Sequence, residues 1–512
     1  MGNKLGTRRL DILFVHTSAS KKIYQDLAKD HSAIEPPIWA ALLANHCRAR
    51  GFGADILDCD AEHLEDAAAA ILIGEIDPRV VCYVVYGQQP SASTQNMQGA
   101  VECANTLKKT SPNLPIMFVG AHIAALPYEV LQKESSIDYI CQNEGVYTIS
   151  KFLSATQSSN YDLSKVHGLG YRDENGHPIL NQAEGIVTKS DLTRDLPGMA
   201  WDLLPEISKY RTAGWHSWPN NAEKTPFAAL YTSLGCPYKC SFCMINIINR
   251  TNPGADIVSS DSNIHRWWEP EFIIKQFDEI AKLGVKNVKI ADELFVLNPR
   301  HFMKICEMLI ERDYGFNIWA YSRIDTCKQE YLETLKKAGV NWLGLGIENP
   351  NQILRQEIHK NSYKEVRITD IMNNMREAGI NVAANYIFGL PMDTKESMQD
   401  TLDFAMENMS EMVNLYSAMA YPGSPLYTLA KKTGIKLPET YSGYSQHSYD
   451  TLNLSNVGLT SREILAFRDS AWMQYHTSSK YLNLLETKFG KASREDVEAT
   501  TKIKLKRKLL GE

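Results

Sequence analysis

The stretch Gly235-Cys236-Pro237-Tyr238-Lys239-Cys240-Ser241-Phe242-Cys243 places three thiols within one short loop, directly after an apolar run over 228–234 that reads as a strand. Thiolates are soft ligands suited to iron-sulfur clusters or zinc, and a tight loop can bring three of them within reach of one cluster. Three thiolates leave one iron of a 4Fe-4S cube without a protein ligand, open to the amino and carboxylate groups of a small molecule. A zinc site asks for a fourth Cys or His at short spacing, whereas the next histidine is His265 and no second cysteine pair follows. Downstream, further strand patterns occur at 286–291, 316–322, 341–347, 381–389 and 413–420. Helical patterns separate them at 270–283, 299–312, 329–338, 362–378 and 395–408. Six βα units fall short of the eight of a closed barrel, so the pattern predicts an open, partial (β/α)6 barrel.

Upstream, short apolar runs at 11–16, 54–58, 80–87, 115–120 and 138–142 alternate with helical patterns at 38–50 and 96–109. That order predicts a doubly wound, Rossmann-like α/β domain over 1–155, with any ligand beyond the carboxyl ends of its strands. No GxGxxG follows its first strand, where His16-Thr17-Ser18-Ala19-Ser20 stands instead, so a dinucleotide cradle is not expected. Residues 156–225 read as a linker with a small β element, 226–425 as the barrel, and 426–512 as a helical, aromatic C-terminal region ending in a basic run over 502–508. Packing is the commoner fate of aromatic residues such as Tyr421, Tyr427, Tyr444 and His447, and a solvated terminus that of the basic run.

Composition narrows the function classes. A chain of 512 residues with 44% hydrophobic and 22% charged residues is a multidomain globular protein. Its formal net charge of -6 lacks the basic excess that nucleic-acid binding exploits. No stretch approaches the length of a membrane span and the N-terminus lacks a hydrophobic signal core, so a cytoplasmic protein without stable membrane insertion is expected. Five of the ten cysteines, Cys47, Cys59, Cys82, Cys103 and Cys141, are scattered singly through the front domain, which reads as buried thiols rather than disulfides or a second cluster.

The cysteine spacing, with Phe242 before the third ligand, resembles the signature of the radical S-adenosylmethionine (SAM) superfamily. The resemblance implies a 4Fe-4S cluster on Cys236, Cys240 and Cys243, SAM chelated to the open iron, and an electron donor such as flavodoxin or ferredoxin. It also places SAM contacts at strand ends. These are Asp292 and Glu293 toward the methionine amino group, Arg323 toward its carboxylate, Glu348 toward the ribose, and Gly389 of Gly389-Leu390-Pro391 beside the adenine. The front domain resembles the cobalamin-binding domain that precedes many such barrels. The likeness rests on Gly87, Gln88, Ser91 and Ser93, on Gly120 and His122, and on Glu144 and Gly145. The DxHxxG motif, whose histidine ligates cobalt in other cobalamin enzymes, is absent, so cobalamin is expected base-off without a protein histidine.

Together these resemblances imply a cobalamin-dependent radical SAM enzyme of the class B methyltransferase-like family. Its leading activity is a transferase reaction, carrying a methyl group from methylcobalamin to an unactivated carbon of a small-molecule or lipid-like substrate after a 5'-deoxyadenosyl radical has removed a hydrogen. A cyclase or ring-rearranging enzyme with the same cofactors is the alternative, and a non-catalytic cofactor-binding protein the second.

Overall fold

The computed structural model describes residues 9–17, 19–29, 31–87, 91–219, 223–251, 257–360 and 367–512. Its contacts divide into two units. One comprises Met1–Ala19, Pro37–Pro205 and Met244–Ser262, the other Ser20–Pro36, Glu206–Cys243 and Asn263–Glu512.

The first unit is built on β1 (Ile12–His16), β2 (Ala54–Asp58), β3 (Val81–Val84), β4 (Ile116–Val119) and β5 (Tyr139–Cys141), with β6 (Leu169–Arg172) and β7 (Pro178–Leu180) added at one edge. The sheet order is β2-β1-β3-β4-β5-β6-β7. The first five strands pair in parallel as expected, whereas β5–β6 and β6–β7 are antiparallel. The small β element of the 156–225 segment thus extends the front sheet. Its turn has a local cause: the Asp173 side chain accepts from the backbone N–H groups of Asn175 and His177, and Gly176 takes φ +82°. All residues of β3 and β4 are buried, as central parallel strands covered on both faces require. The helix Ile38–Ala49 starts after Pro36-Pro37 and buries nine of its twelve residues, too many for a one-sided stripe. Cys47, Cys59, Cys82, Cys103 and Cys141 are all buried and free.

The second unit carries the predicted partial barrel. Six parallel strands run in the order β15-β14-β13-β12-β11-β8, namely β8 (Phe227–Leu230), β11 (Asn287–Ile290), β12 (Asn317–Arg323), β13 (Val340–Glu348), β14 (Asn381–Phe388) and β15 (Met412–Ser417). The single strand read at 228–234 breaks in two: β9 (Ser233–Gly235) leaves the barrel to pair antiparallel with β10 (His265–Trp267). Asp292, at the end of β11, causes the break. Its carboxylate accepts from the Thr232 N–H at 2.5 Å, the Thr232 hydroxyl at 2.5 Å and the Ser233 hydroxyl at 2.6 Å, replacing the strand partner that Thr232 gives up.

At the amino ends of the strands, Trp215 packs edge-on against Trp319 at 5.2 Å and Trp342 at 5.0 Å, closing the barrel floor with rings. The basic tail is not a free terminus. Arg507 is 1% exposed, pairs with Asp469 and donates to the Gln446 and Ser448 carbonyls. Tyr444 is core, while Tyr427 and Phe242 both pack against a buried cluster that includes Ile387, Leu390 and Leu426. No helix among the described residues is long and apolar enough to cross a membrane.

Candidate functional site

The cysteine loop follows β9 at the carboxyl end of the barrel. Cys236 is buried, and Cys240 and Cys243 are half-buried. Backbone bonds fix the loop without using the thiols: Ser241 N–H donates to the Ile358 carbonyl, Leu426 N–H donates to the Ser241 carbonyl at 3.0 Å, and Cys243 N–H closes a turn on the Cys240 carbonyl. Burial is the main reason the Cys236 thiol is pushed up to about 12 and the Cys240 thiol is raised. Among the described residues no three His, Cys, Asp or Glu side chains form a cage for one ion.

Two strand ends lie at the same carboxyl end of the barrel. Arg323, closing β12, lies with its guanidinium 3.7 Å over the Tyr238 ring, donates from Nη1 toward the Cys240 sulfur at 3.8 Å, and pairs with Asp325 at 2.9 Å. A positive group stacked beside the cysteine loop stabilises thiolate charge. Glu348, closing β13, has φ +64°, a conformation that costs a non-glycine residue energy and concentrates at functional positions. The cause is a register shift between Gly346 and Glu348, which re-aims the side chain. Its carboxylate meets Lys360 in a buried ion pair, and Lys360 also donates to the Gly346 carbonyl at 2.9 Å. A Cβ at Gly346 would stand 2.7 Å from the Lys360 nitrogen and 2.8 Å from Glu348 Oε1, so a side chain there would push on the ion pair.

At the cysteine loop and the end of β13, two buried polar atoms have no partner among the described residues, Ser241 Oγ, between two of the cysteines, and Asn349 Nδ2, beside Glu348. Such orphans are costly unless a ligand satisfies them, and both stand where SAM and the cluster are expected. Neighbouring Asp292 and Glu293 differ. Asp292 is fully buried and committed to Thr232 and Ser233. Glu293 is half-buried, and burial followed by the Asp292 charge lifts its carboxyl to about 8, partly offset by Lys289. Gly389 has φ +76°, and the space its side chain would need is filled by Ile464 at 2.6 Å, so backbone conformation and packing together account for the glycine. Sequence reasoning missed Lys360, Asp325 and Asn349. Asn349 follows Glu348 directly and was the most accessible of the three.

In the first unit, the loops after β3, β4 and β5 bring the residues of the corrin reading to the carboxyl edge of the sheet. Gly87 and Ser91 are half-buried; Gln88 lies outside the described residues. The Ser93 hydroxyl donates to the Val85 carbonyl and accepts from the His122 N–H at 2.9 Å, tying two of these loops together. Gly120 is needed because a Cβ would stand 2.2 Å from the Val85 carbonyl oxygen, and Gly145 because one would stand 2.6 Å from Val119 Cγ2. Glu144 accepts from the Val187 N–H at 2.6 Å. His122 is buried with Nδ1 3.1 Å from the Thr94 hydroxyl, and burial pushes its imidazole down to about 3. His16 is held by Asp58 at 3.0 Å. The donor set suits a corrin seated on small residues and backbone, with both imidazoles engaged elsewhere. Electron paramagnetic resonance of the cob(II)alamin-loaded protein should therefore show no nitrogen superhyperfine splitting, and His122→Ala should leave that spectrum unchanged. A resolved nitrogen pattern that disappears in His122→Ala would show the imidazole to be a cobalt ligand.

Comparison with known proteins agrees with both halves. Residues 230–405 match the Radical SAM superfamily and residues 27–153 the B12 binding domain. An uncharacterized methyltransferase of Pyrococcus horikoshii is 24% identical over 451 residues, covering 87% of this chain and 89% of that protein. The anaerobic magnesium-protoporphyrin IX monomethyl ester cyclase of Rubrivivax gelatinosus is 25% identical over 424 residues, covering 81% and 69%. Among solved structures, the radical S-adenosylmethionine methyltransferase TsrM from Kitasatospora setae superposes with a TM-score of 0.65 over 96% of this chain and 99% of that one, at 14% identity. That likeness concerns the fold. With the two domain matches and the cysteine loop at the end of the first barrel strands, the chain is a cobalamin-dependent radical SAM enzyme, whose cofactors are a 4Fe-4S cluster, SAM and cobalamin.

Proposed function

We propose that this enzyme methylates an unactivated carbon of a small-molecule substrate. The observation that carries the reading is the union in one chain of a corrin-type sheet domain with a barrel whose strand ends collect three thiols, Arg323 and the Glu348–Lys360 pair. When bound, the cluster and SAM supply a 5'-deoxyadenosyl radical, and the corrin carries the methyl group. The chain's residues divide the remaining work. Cys236, Cys240 and Cys243 hold the cluster, and Arg323, stacked on Tyr238, keeps a positive charge beside Cys240. Glu293, rather than the committed Asp292, receives the methionine amino group. Glu348 and Asn349 offer an acceptor and a donor to the ribose, with Lys360 fixing the carboxylate. Gly87, Ser91 and the Gly120 turn seat the corrin, while Ser93 and His122 hold the loops in place. The electron comes from an external donor of flavodoxin or ferredoxin type.

An alkyl carbon is too weak a nucleophile to attack a sulfonium methyl directly, so hydrogen removal must precede transfer. Relatives of both outcomes exist. The methyltransferase named above matches along 89% of its length and the cyclase along 69%, which favours methylation. The test starts from a metabolite comparison between cells with and without the protein, and then supplies SAM labelled on its methyl group. Methylation predicts the label in the product, with one S-adenosylhomocysteine and one 5'-deoxyadenosine per turnover. A product differing by a new ring or by loss of hydrogen, with no label, establishes the cyclase reading instead.

A further inference from the structure

Beside the edge strand β15, the barrel unit forms a half-open cavity of about 430 Å3 that none of the cysteine-loop residues line. The volume suits a small ligand. Its walls are dominated by rings: Tyr24, Trp215, Trp218, Tyr416 and Trp472. Tyr24 packs on His447 at 5.5 Å and Trp472 stacks on His476 at 4.3 Å, so ring faces are held in fixed orientations.

The charged groups facing this space are unequal. Arg468 has its guanidinium occupied by the Leu415 carbonyl at 2.7 Å and by Asp469 at 2.8 Å. Glu35 is balanced by Lys289 at 2.9 Å. Burial keeps His447 and His476 neutral by pushing them down to about 3 and about 4. His31 bonds the Thr500 hydroxyl and stands 3.9 Å from Asp496. Asp496 accepts from the Trp218 indole N–H at 3.2 Å, and among the described residues no lysine or arginine stands within ion-pair distance of it. Its side chain is 27% exposed. Opposite Asp496, Gly214 keeps the wall thin, since a Cβ there would approach its carboxylate to 2.6 Å. Lys224 Nζ stands at the same wall, 3.5 Å from where that Cβ would sit and outside ion-pair distance of Asp496. The pocket therefore offers ring faces, which attract cations, and one carboxylate with no lysine or arginine in direct contact among the described residues.

We propose that this cavity is a binding site for an aromatic amine carried as its ammonium ion, with the ring among the tryptophans and the ammonium on Asp496. The site needs neither the cluster nor the corrin, so its test is independent of the methylation reading. Phenethylamine and 3-phenylpropionate share a ring and a chain length and differ in the sign of their charge. Calorimetric titration of the full-length protein should show saturable binding of phenethylamine with about tenfold or greater preference over 3-phenylpropionate. Asp496→Asn keeps the shape and should abolish that preference. Trp472→Leu should weaken phenethylamine about tenfold, with thermal melting confirming that both variants fold. Equal affinity for the two probes, no saturable binding of either, or binding untouched by both substitutions would overturn the assignment.

Discussion

Replacing Cys236, Cys240 and Cys243 together by alanine should strip the protein of iron and abolish 5'-deoxyadenosine formation, whereas the parent chain, reconstituted without oxygen, should hold about four irons. Backbone bonds of Ser241 and Cys243 hold the loop, and the bond from Arg323 to the Cys240 sulfur is long at 3.8 Å, so the variant should keep its fold and circular dichroism. Loss of function then reports the cluster rather than unfolding. Because burial holds the Cys236 thiol protonated, loading metal must displace a proton there, and iron uptake should slow as pH falls. Iron content by chelation and product by chromatography decide the matter, and SAM cleavage persisting in the triple variant would refute the assignment of these thiols.

Much of this arrangement was legible because period and spacing are local properties. The cysteine loop, the six parallel barrel strands and the five parallel strands of the front sheet each follow from a run of apolar residues or a fixed interval. What was illegible depends on tertiary partners. Asp292 resembles a ligand-binding acid at a strand end, yet its three bonds to Thr232 and Ser233 make it the residue that turns β8 into β9. Ser93 and Gly120 stand where a corrin contact is expected, but each is also required by the approach of the Val85 carbonyl. Arg507 sits in a basic run that reads as solvated, and only the fold reveals Asp469 beneath it. Lys360 left no signal at all, since its partner Glu348 is aimed by a register shift that no pattern of residues announces.

That ion pair supports the second large effect. Glu348 and Lys360 are 9% and 4% exposed at the side chain, so neither charge has solvent to fall back on. Lys360→Met should leave a buried carboxylate unpaired and cost about 3–5 kcal/mol of stability, read as a lowered denaturation midpoint. Glu348→Gln in the Lys360→Met background should recover most of that loss, because a neutral amide beside a neutral thioether carries no uncompensated charge. Function should not recover with it. If Glu348 accepts from the ribose and Lys360 only fixes it, the stable double variant keeps its iron but binds SAM weakly and forms 5'-deoxyadenosine at a small fraction of the parent rate. Glu348→Asp, which keeps charge and pair while shortening the reach, should retain stability and lose affinity for SAM more than it loses iron. Full SAM cleavage in the double variant would show that the pair serves the fold alone and that the strained φ of Glu348 exists for Lys360 rather than for the ligand.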